Sequence, residues 1–393
     1  MENFSVPISK QLSQSKCLNF GLFSVLLILS AITQIRSQSL FDTTFNPSAN
    51  CSVYSIITLP DSKILIRGCF TNISGIPRNN IALLNADGTL DTTFNPNLGG
   101  DFVGAIGKQS DGKILISSYA GGGRKPYLGF ARLNIDGTLD TNFNAYSGTN
   151  YNAIAVQEDG KILIGGSFFS VAGQRRYNIA RLNADGTLDT AFDPHANYAV
   201  GSIILQPDGK ILICGLFDSI GVHLRNAFAR LNADGSVDST FDANVNSSVT
   251  AMAVQPDGKI LIGGFFTSVA GQTRNGIARL NADGTLDVAF NPKNDGGYIT
   301  AITVQMDGKI LIGRGASTIE AQNRTVLIRL NADGTLDTTF NLTSDYGFRA
   351  ITLQTDGNIL LGGDFTKIDG QPHNRIARLI QPTIKSRKRV RFF

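Results

Sequence analysis

Apolar and polar positions alternate along most of this chain in short runs, and the period is two. "VTAMAVQ", Val249 to Gln255, alternates and is rich in β-formers. "PDG" then turns the chain, and "KILIGGFF", Lys259 to Phe266, is a second apolar run. A longer loop, "TSVAGQTRN", leads to a third strand in "GIARLN", Gly276 to Asn281. "ADG" turns again before a fourth in "TLDVAF", Thr285 to Phe290. Short runs joined by Asp-Gly turns predict β-hairpins. No window carries a helical period.

The unit recurs. The Asp of "PDGKIL" and its variants stands at 61, 111, 159, 208, 257, 307 and 356, a period near 49 residues in seven copies. Four strands in each of seven units predict an all-β fold, a seven-bladed β-propeller with four-stranded blades spanning residues 40–382. The chain begins and ends inside its own repeat: "LFDTTFNP", Leu40 to Pro47, is a back half without a front half, and "IARLIQP", Ile376 to Pro382, is the reverse. An N-terminal strand that completes the last blade would close the ring and leave no long unpaired sheet edge. An open solenoid would instead carry atypical caps at both ends. Hairpin register places Arg279 opposite Asp287 and Arg230 opposite Asp238, and likewise Arg132 with Asp140, Arg181 with Asp189 and Arg329 with Asp337. Arg378 then needs a partner, and closure supplies Asp42. The first copy breaks the pattern, with Leu83 opposite Asp91.

Composition changes this picture little: 42% hydrophobic and 17% charged residues describe a folded chain, and 42 glycines suit many tight turns. The N-terminus adds more. Lys10 and Lys16 precede an apolar stretch of 15 residues, Leu18 to Ile32, and small residues follow in "RSQS". Residues 1–39 read as a signal peptide, with an uncleaved anchor as the alternative. Its removal takes away Lys10, Lys16, Arg36 and Glu2 and leaves a net charge of +2. The tail "KSRKRVRFF" holds five cations, so the body is near −3 and gives no case for nucleic acid. Residues 383–393 read as a solvated, disordered end; the membrane enters only through that tail or an uncleaved signal. Of the three cysteines beyond residue 39, Cys51 and Cys69 fall diagonal in this register, roughly 7–8 Å apart, which argues against a bridge.

"PDGKILIGGxF", a loop ending in "RN", and "IARLNADGTLDTTFNP" at this period resemble the delta-60 repeat of bacterial secreted and surface proteins. The resemblance implies a β-propeller of largely uncharacterised function and carries over no catalytic residues. It covers Leu40 to about Leu379 in seven copies. "SSYAGGGRKPYLGF" and "GRGASTIEAQNRTVLI" depart from the pattern between the second and third strands. The double Gly is similar to kelch repeats, whose later Tyr and Trp are missing here.

Candidate chemistry is sparse. "NADGTLD" offers Asn85, Asp87, Gly88 and Asp91 as partial calcium ligands, but an Arg occupies the first-ligand position in most copies and hairpin geometry explains the Asp-Gly. His195, His223 and His373 lie in different repeats without metal-ligand spacing. No nucleophile elbow, phosphate loop or zinc motif appears. The chain therefore reads as a non-enzyme without cofactor or metal.

The two faces of the predicted disc differ. Both Asp-Gly turns open on one face and barely vary from copy to copy. The other face varies: "PSANCS", "PHANYA", "ANVNSS", "LTSDYG". Asn and Tyr on adaptable loops over a rigid scaffold suit binding. One repeat position there holds Arg78, Tyr127, Arg176, Arg225, Arg274, Arg324 and His373. These side chains either pack on the neighbouring blade or form a multidentate anion site. The expectation is a secreted or surface-associated binding or scaffold module with a protein or glycan partner, anionic in the second case. A purely structural repeat protein is the alternative, and a hydrolase or lyase with a central-channel site comes third.

Overall fold

Each repeat folds its first three runs into an antiparallel sheet. The structure, a computed structural model, describes residues 41–96, 98, 102–119, 129–144, 150–293, 298–314, 317–319 and 322–381. The expected signal peptide and the basic tail lie outside them. In the fifth repeat Val249–Val254 pairs with Ile260–Gly264, which pairs with Ile277–Leu280. The same order recurs in the other six repeats, and the described residues hold no helix. The first strands lie side by side: Tyr151–Val156 against Phe102–Lys108 and Val200–Leu205, and Phe348–Leu353 against Ile299–Val304 and Val53–Thr58. Their inward positions are small, and the middle strands, such as "ILIGG" at Ile260–Gly264, are buried throughout. Apolar residues fill the space between successive sheets: Leu212, Phe228 and Cys214 of the fourth repeat pack with Val249, Met252 and Ile262 of the fifth.

The expected fourth strand takes a different form. In five repeats it makes one bridge to the third strand, as at Leu280–Leu286 or Leu182–Leu188. The side chain of its Asp explains this. Asp238 Oδ1 accepts from the backbone N–H and hydroxyl of Thr240, and Phe241 N–H returns to the Asp238 carbonyl at 3.2 Å. This turn diverts the backbone from the ladder. Pro47, Pro96, Pro194 and Pro292 reinforce this in four places, where further pairing would need an N–H, while the fourth repeat leaves the ladder with Ala243 at that position. In the sixth repeat Leu342 occupies that place, and Leu336–Ser344 resumes the ladder beyond the same excursion. Elsewhere the chain crosses to the next repeat, as at Ala196–Ile220 and Val245–Val269.

The loop between second and third strands is a small hairpin rather than an open loop: Ser268–Val269 pairs with Gln272–Thr273. Cys51 and Cys69 form a disulfide, against the diagonal placement, with Cα atoms 5.4 Å apart. The cause is a bulge. Ser55 faces Arg67 but Val53 faces Gly68, so the register slips by one and Cys69 N–H reaches the Ser52 carbonyl at 3.0 Å. The first and last described segments meet. Phe41 bridges to Leu379, Asp42 N–H donates to the Arg378 carbonyl, and Thr352 Oγ1 donates to the Ile56 carbonyl at 2.9 Å.

Candidate functional site

The Asp-Gly face is built from one repeated joint. Arg230 Nε lies 2.8 Å from Asp238 Oδ2, Lys210 Nζ lies 2.7 Å from the same oxygen, and the guanidinium sits 4.1 Å over the Phe241 ring. Arg230 Nη1 also donates to the Ala282 carbonyl in the next repeat's turn. Arg132, Arg181 and Arg279 reach Ala184, Ala233 and Ala332 in the same way. At the chain ends Arg378 binds Asp42 at 2.6 Å, lies 4.3 Å over Phe45 and reaches the Ala86 carbonyl. The Phe ring seats on the next repeat's turn: a Cβ on Gly284, at φ +94°, would come 2.6 Å from Phe241. The Lys of "DGKIL" joins every one of these Asp residues it can reach, a partner that the hairpin arithmetic did not contain.

The carboxylates respond to this. Burial works against the Asp42 anion, and hydrogen bonds from Thr44 and Arg378 more than offset it, so its pKa falls below the usual range. The Thr93 hydroxyl, helped by Lys63, holds Asp91 at about 2. Lys113 leads in holding Asp140 at about 2. Asp87 accepts from the Thr89 N–H and hydroxyl, so its oxygens close the turn. Among the described residues no group of carboxylates, His and Cys is placed to hold a metal ion. A cavity of about 600 Å³ opens on this face beside Gln206, Arg230, Gln255 and Gln305.

The Arg ring of the opposite face adopts the packing geometry. Arg78, Arg176, Arg225 and Arg274 are buried. Arg78 donates to the carbonyls of Phe94, Pro77 and Thr92, and Arg274 to those of Thr273 and Val288. Arg176 and Arg225 bind Thr190 and Ser239 carbonyls alike and approach Asp193 and Asp242 at 3.6 and 3.4 Å. Planar guanidinium forks aimed at backbone carbonyls stabilise the fold and leave little for a ligand. His373 is buried and stacked 4.8 Å from Phe41, and burial lowers its pKa. Tyr127 and the Arg324 side chain lie outside the described residues.

Exposed aromatic and charged side chains gather instead where the first strands begin on this face. Phe265 follows the second strand of the fifth repeat and stacks on Tyr298, which precedes the first strand of the sixth, at 4.9 Å and 14°. Arg349, second residue of the seventh repeat's first strand, grips Asp364 through Nε and Nη2, both at 2.7 Å. Its guanidinium lies 5.5 Å from the Tyr54 ring of the first repeat. Asp364 raises the Arg349 pKa, with smaller contributions from Tyr54 and Tyr298. Burial opposes ionisation of Asp364, but Arg349 and Ser52 outweigh it and its pKa is lowered.

Seven segments, residues 59–94, 109–143, 157–192, 206–241, 255–290, 305–340 and 354–379, match one family, described as a domain of unknown function (DUF5122) beta-propeller. The chain belongs to that family. No curated protein matches it by sequence. Its fold is similar to the WD40 beta propeller domain of Doa1, with TM-score 0.58 and 14% identity over 88% of this chain and 97% of the other. A streptogramin B lyase structure aligns with TM-score 0.54 and 17% identity, covering 86% and 96%. Virginiamycin B lyase from Staphylococcus aureus aligns at 0.55 and 14%, covering 85% and 98%. At these identities the likeness concerns the fold. Seven family repeats, all-β sheets and propeller neighbours make the chain a seven-bladed β-propeller.

In this DUF5122 propeller the channel-mouth residues were missed because each occurs once. Tyr54, Gly104, Asn152, Gly201, Thr250, Thr300 and Arg349 share one position of the first strand, and reading the repeat for what recurs discards that column. The signal was available there, as the column's departures from small residues.

Proposed function

We propose that the chain is a secreted or surface-exposed binding or scaffold module that presents its ligand site on the variable-loop face. The observation that carries this reading is the division of labour between the faces. On the Asp-Gly face Arg, Lys, Asp and Phe are engaged in repeat-to-repeat joints. Both faces expose aliphatic side chains, Leu216 and Leu224 on the loop face and Met306 and Ile135 in the Asp-Gly turns, but the exposed aromatic rings among the described residues, such as Phe169 at 73%, Phe265 and Tyr298, stand on the loop face. Rigid sheets carrying exposed aromatic and aliphatic side chains are what recognition surfaces use. The Cys51–Cys69 bridge supports an oxidising compartment, in line with the signal-like residues 1–39. The contacts of Phe41 and Asp42 with Leu379 and Arg378 support a ring closed by the N-terminal segment, with that segment as the outer element of the last blade.

The test is a thermal-shift panel on the purified chain with acidic and neutral polysaccharides and calcium. A ligand that binds only the native state raises the melting temperature, by about 2.7 kcal/mol of stabilisation at 100 times its Kd. The shift is expected to vanish in Phe169→Ser with Leu224→Ser and to survive in Met306→Ser, whose side chain is exposed in an Asp-Gly turn. Survival in the first and loss in the second would place the ligand on the wrong face and end the proposal.

A further inference from the structure

We propose that the loop-face mouth of the channel, where the fifth, sixth, seventh and first repeats meet, binds a carboxylate-bearing saccharide, a uronic-acid glycan. This deepens the loop-face reading and rests on it.

The mouth is lopsided. At the first-strand position that looks into it, the seventh and first repeats place Arg349 and Tyr54, whereas the second and fourth place Gly104 and Gly201. Large side chains on one arc and glycines on another leave room between them for a ligand. The first arc is made of ring faces: Phe265 and Tyr298 stacked on each other and 53% and 37% exposed, and Tyr54, 37% exposed, against the Arg349 guanidinium. Flat aromatic faces accept the C–H face of a pyranose, which is apolar on one side and ringed by hydroxyls.

Polar groups sit within reach of that platform. The Arg349 side chain is 47% exposed. It spends Nε and Nη2 on Asp364 and keeps Nη1 without a protein partner among the described residues. A planar guanidinium with an open edge suits a carboxylate. Asp364, held ionised by Arg349 and Ser52, accepts hydroxyl protons. The surroundings favour an anion. Arg67 and Arg314 occur at the end of the second strand only in the first and sixth repeats, where the other repeats hold Gly, Ser or Cys. Arg67 points along the joint to the Val103 carbonyl. Arg375 also acts on Asp364.

The experiment is calorimetric titration of the full chain with oligogalacturonate, its methyl ester and a neutral cello-oligosaccharide, at low and high salt. Oligogalacturonate is expected to bind, and the methyl ester at least about tenfold more weakly. The acid's affinity should fall as salt rises. Arg349→Ala should weaken it by about tenfold or more, Arg349→Lys less, and Tyr298→Ala by about tenfold through lost stacking. The exposed position of Tyr298 predicts unchanged melting for Tyr298→Ala, which remains informative if Arg349→Ala, by taking the ion pair from Asp364, folds poorly. Binding that survives Arg349→Ala and Tyr298→Ala but is lost in Phe169→Ser with Leu224→Ser keeps the loop face and overturns the mouth. Equal binding of acid and ester overturns the role of the carboxylate. No saccharide binding, with a protein ligand held by the loop face, overturns the glycan and leaves the broader reading standing.

Discussion

Replacing Asp42 with Ala removes the carboxylate that joins the first described residues to the last repeat. Asp42 is 9% exposed and the Arg378 side chain 12%. Breaking such a pair leaves a charge with diminished compensation and costs about 3–5 kcal/mol. Arg378 retains the Ala86 carbonyl and the Phe45 ring, while the Thr44 contacts go with Asp42, so the lower end, about 3 kcal/mol, applies. An unfolding entropy of about 2.1 cal/mol/K per residue over roughly 340 residues gives about 0.7 kcal/mol/K, and the melting temperature should drop by about 4 °C. Calorimetry on wild type, Asp42→Ala, Arg378→Ala and the double variant isolates the pair. Hydrogen exchange adds location: Asp42→Ala should expose the amides of 41–49, whereas Asp238→Ala should loosen only the fourth and fifth repeats. A melting temperature within half a degree of wild type, or a coupling energy near zero, would refute the reasoning that this contact holds the ends together.

Three further outcomes follow from the described geometry. The depressed carboxylates give stability that is fully present above the unfolded value near 3.9 and lost as pH falls through the folded values, about 2 for Asp91 and Asp140; the melting temperature should therefore fall between about pH 4 and pH 2, and a flat acid profile would contradict the joints. Gly284→Ala puts a Cβ 2.6 Å from the Phe241 ring at φ +94°, which should cost about 2 kcal/mol or more by denaturant titration; an unchanged midpoint would count against the ring–turn seat. The Cys51–Cys69 bridge closes a separation of 18 residues, worth about 3 kcal/mol, so a reductant should lower the melting temperature of wild type but not of Cys51→Ser, while Cys214, whose thiol burial pushes up to about 12, stays unalkylated in the native state.

The strand order was legible because the Asp-Gly turns punctuate a two-residue period, and the Arg–Asp pairs followed from turn arithmetic alone. What stayed hidden has identifiable causes. The outer strand was counted from its apolar run, but Asp238 turns the backbone through its own side chain and Pro194 blocks the ladder, local hydrogen bonding that overrides β-propensity. The disulfide depends on a one-residue bulge at Val53, and a regular register cannot contain it. For the Arg at 78, 176, 225 and 274 packing and an anion site both stood open, because the sequence shows the guanidinium and not the carbonyls of the same repeat's outer segment, such as Thr92 and Val288, that accept its hydrogen bonds. Lys210 and its equivalents had no place in the hairpin arithmetic, although they share the Asp. Arg349 and Tyr298 were invisible as a pair since 51 positions separate them in the chain.

The joint that links Arg230 to the Ala282 turn is chemically the same as those at Arg132, Arg181, Arg279 and Arg378. Each unit carries a hook on one side and an eye on the other, and the fittings hold no address. Which neighbour a unit takes is decided by tether length, not by complementarity. A nascent chain can thus latch correctly only because the right eye is closer than any wrong one. Two chains refolding in a crowded solution lose that advantage, and interlocked chains become the natural error of the fold. Leu83, which replaces the hook in the first unit, and Ile380 and Gln381, which stand where the seventh unit would carry its Asp-Gly turn, are described places where the sequence distinguishes a link from its siblings.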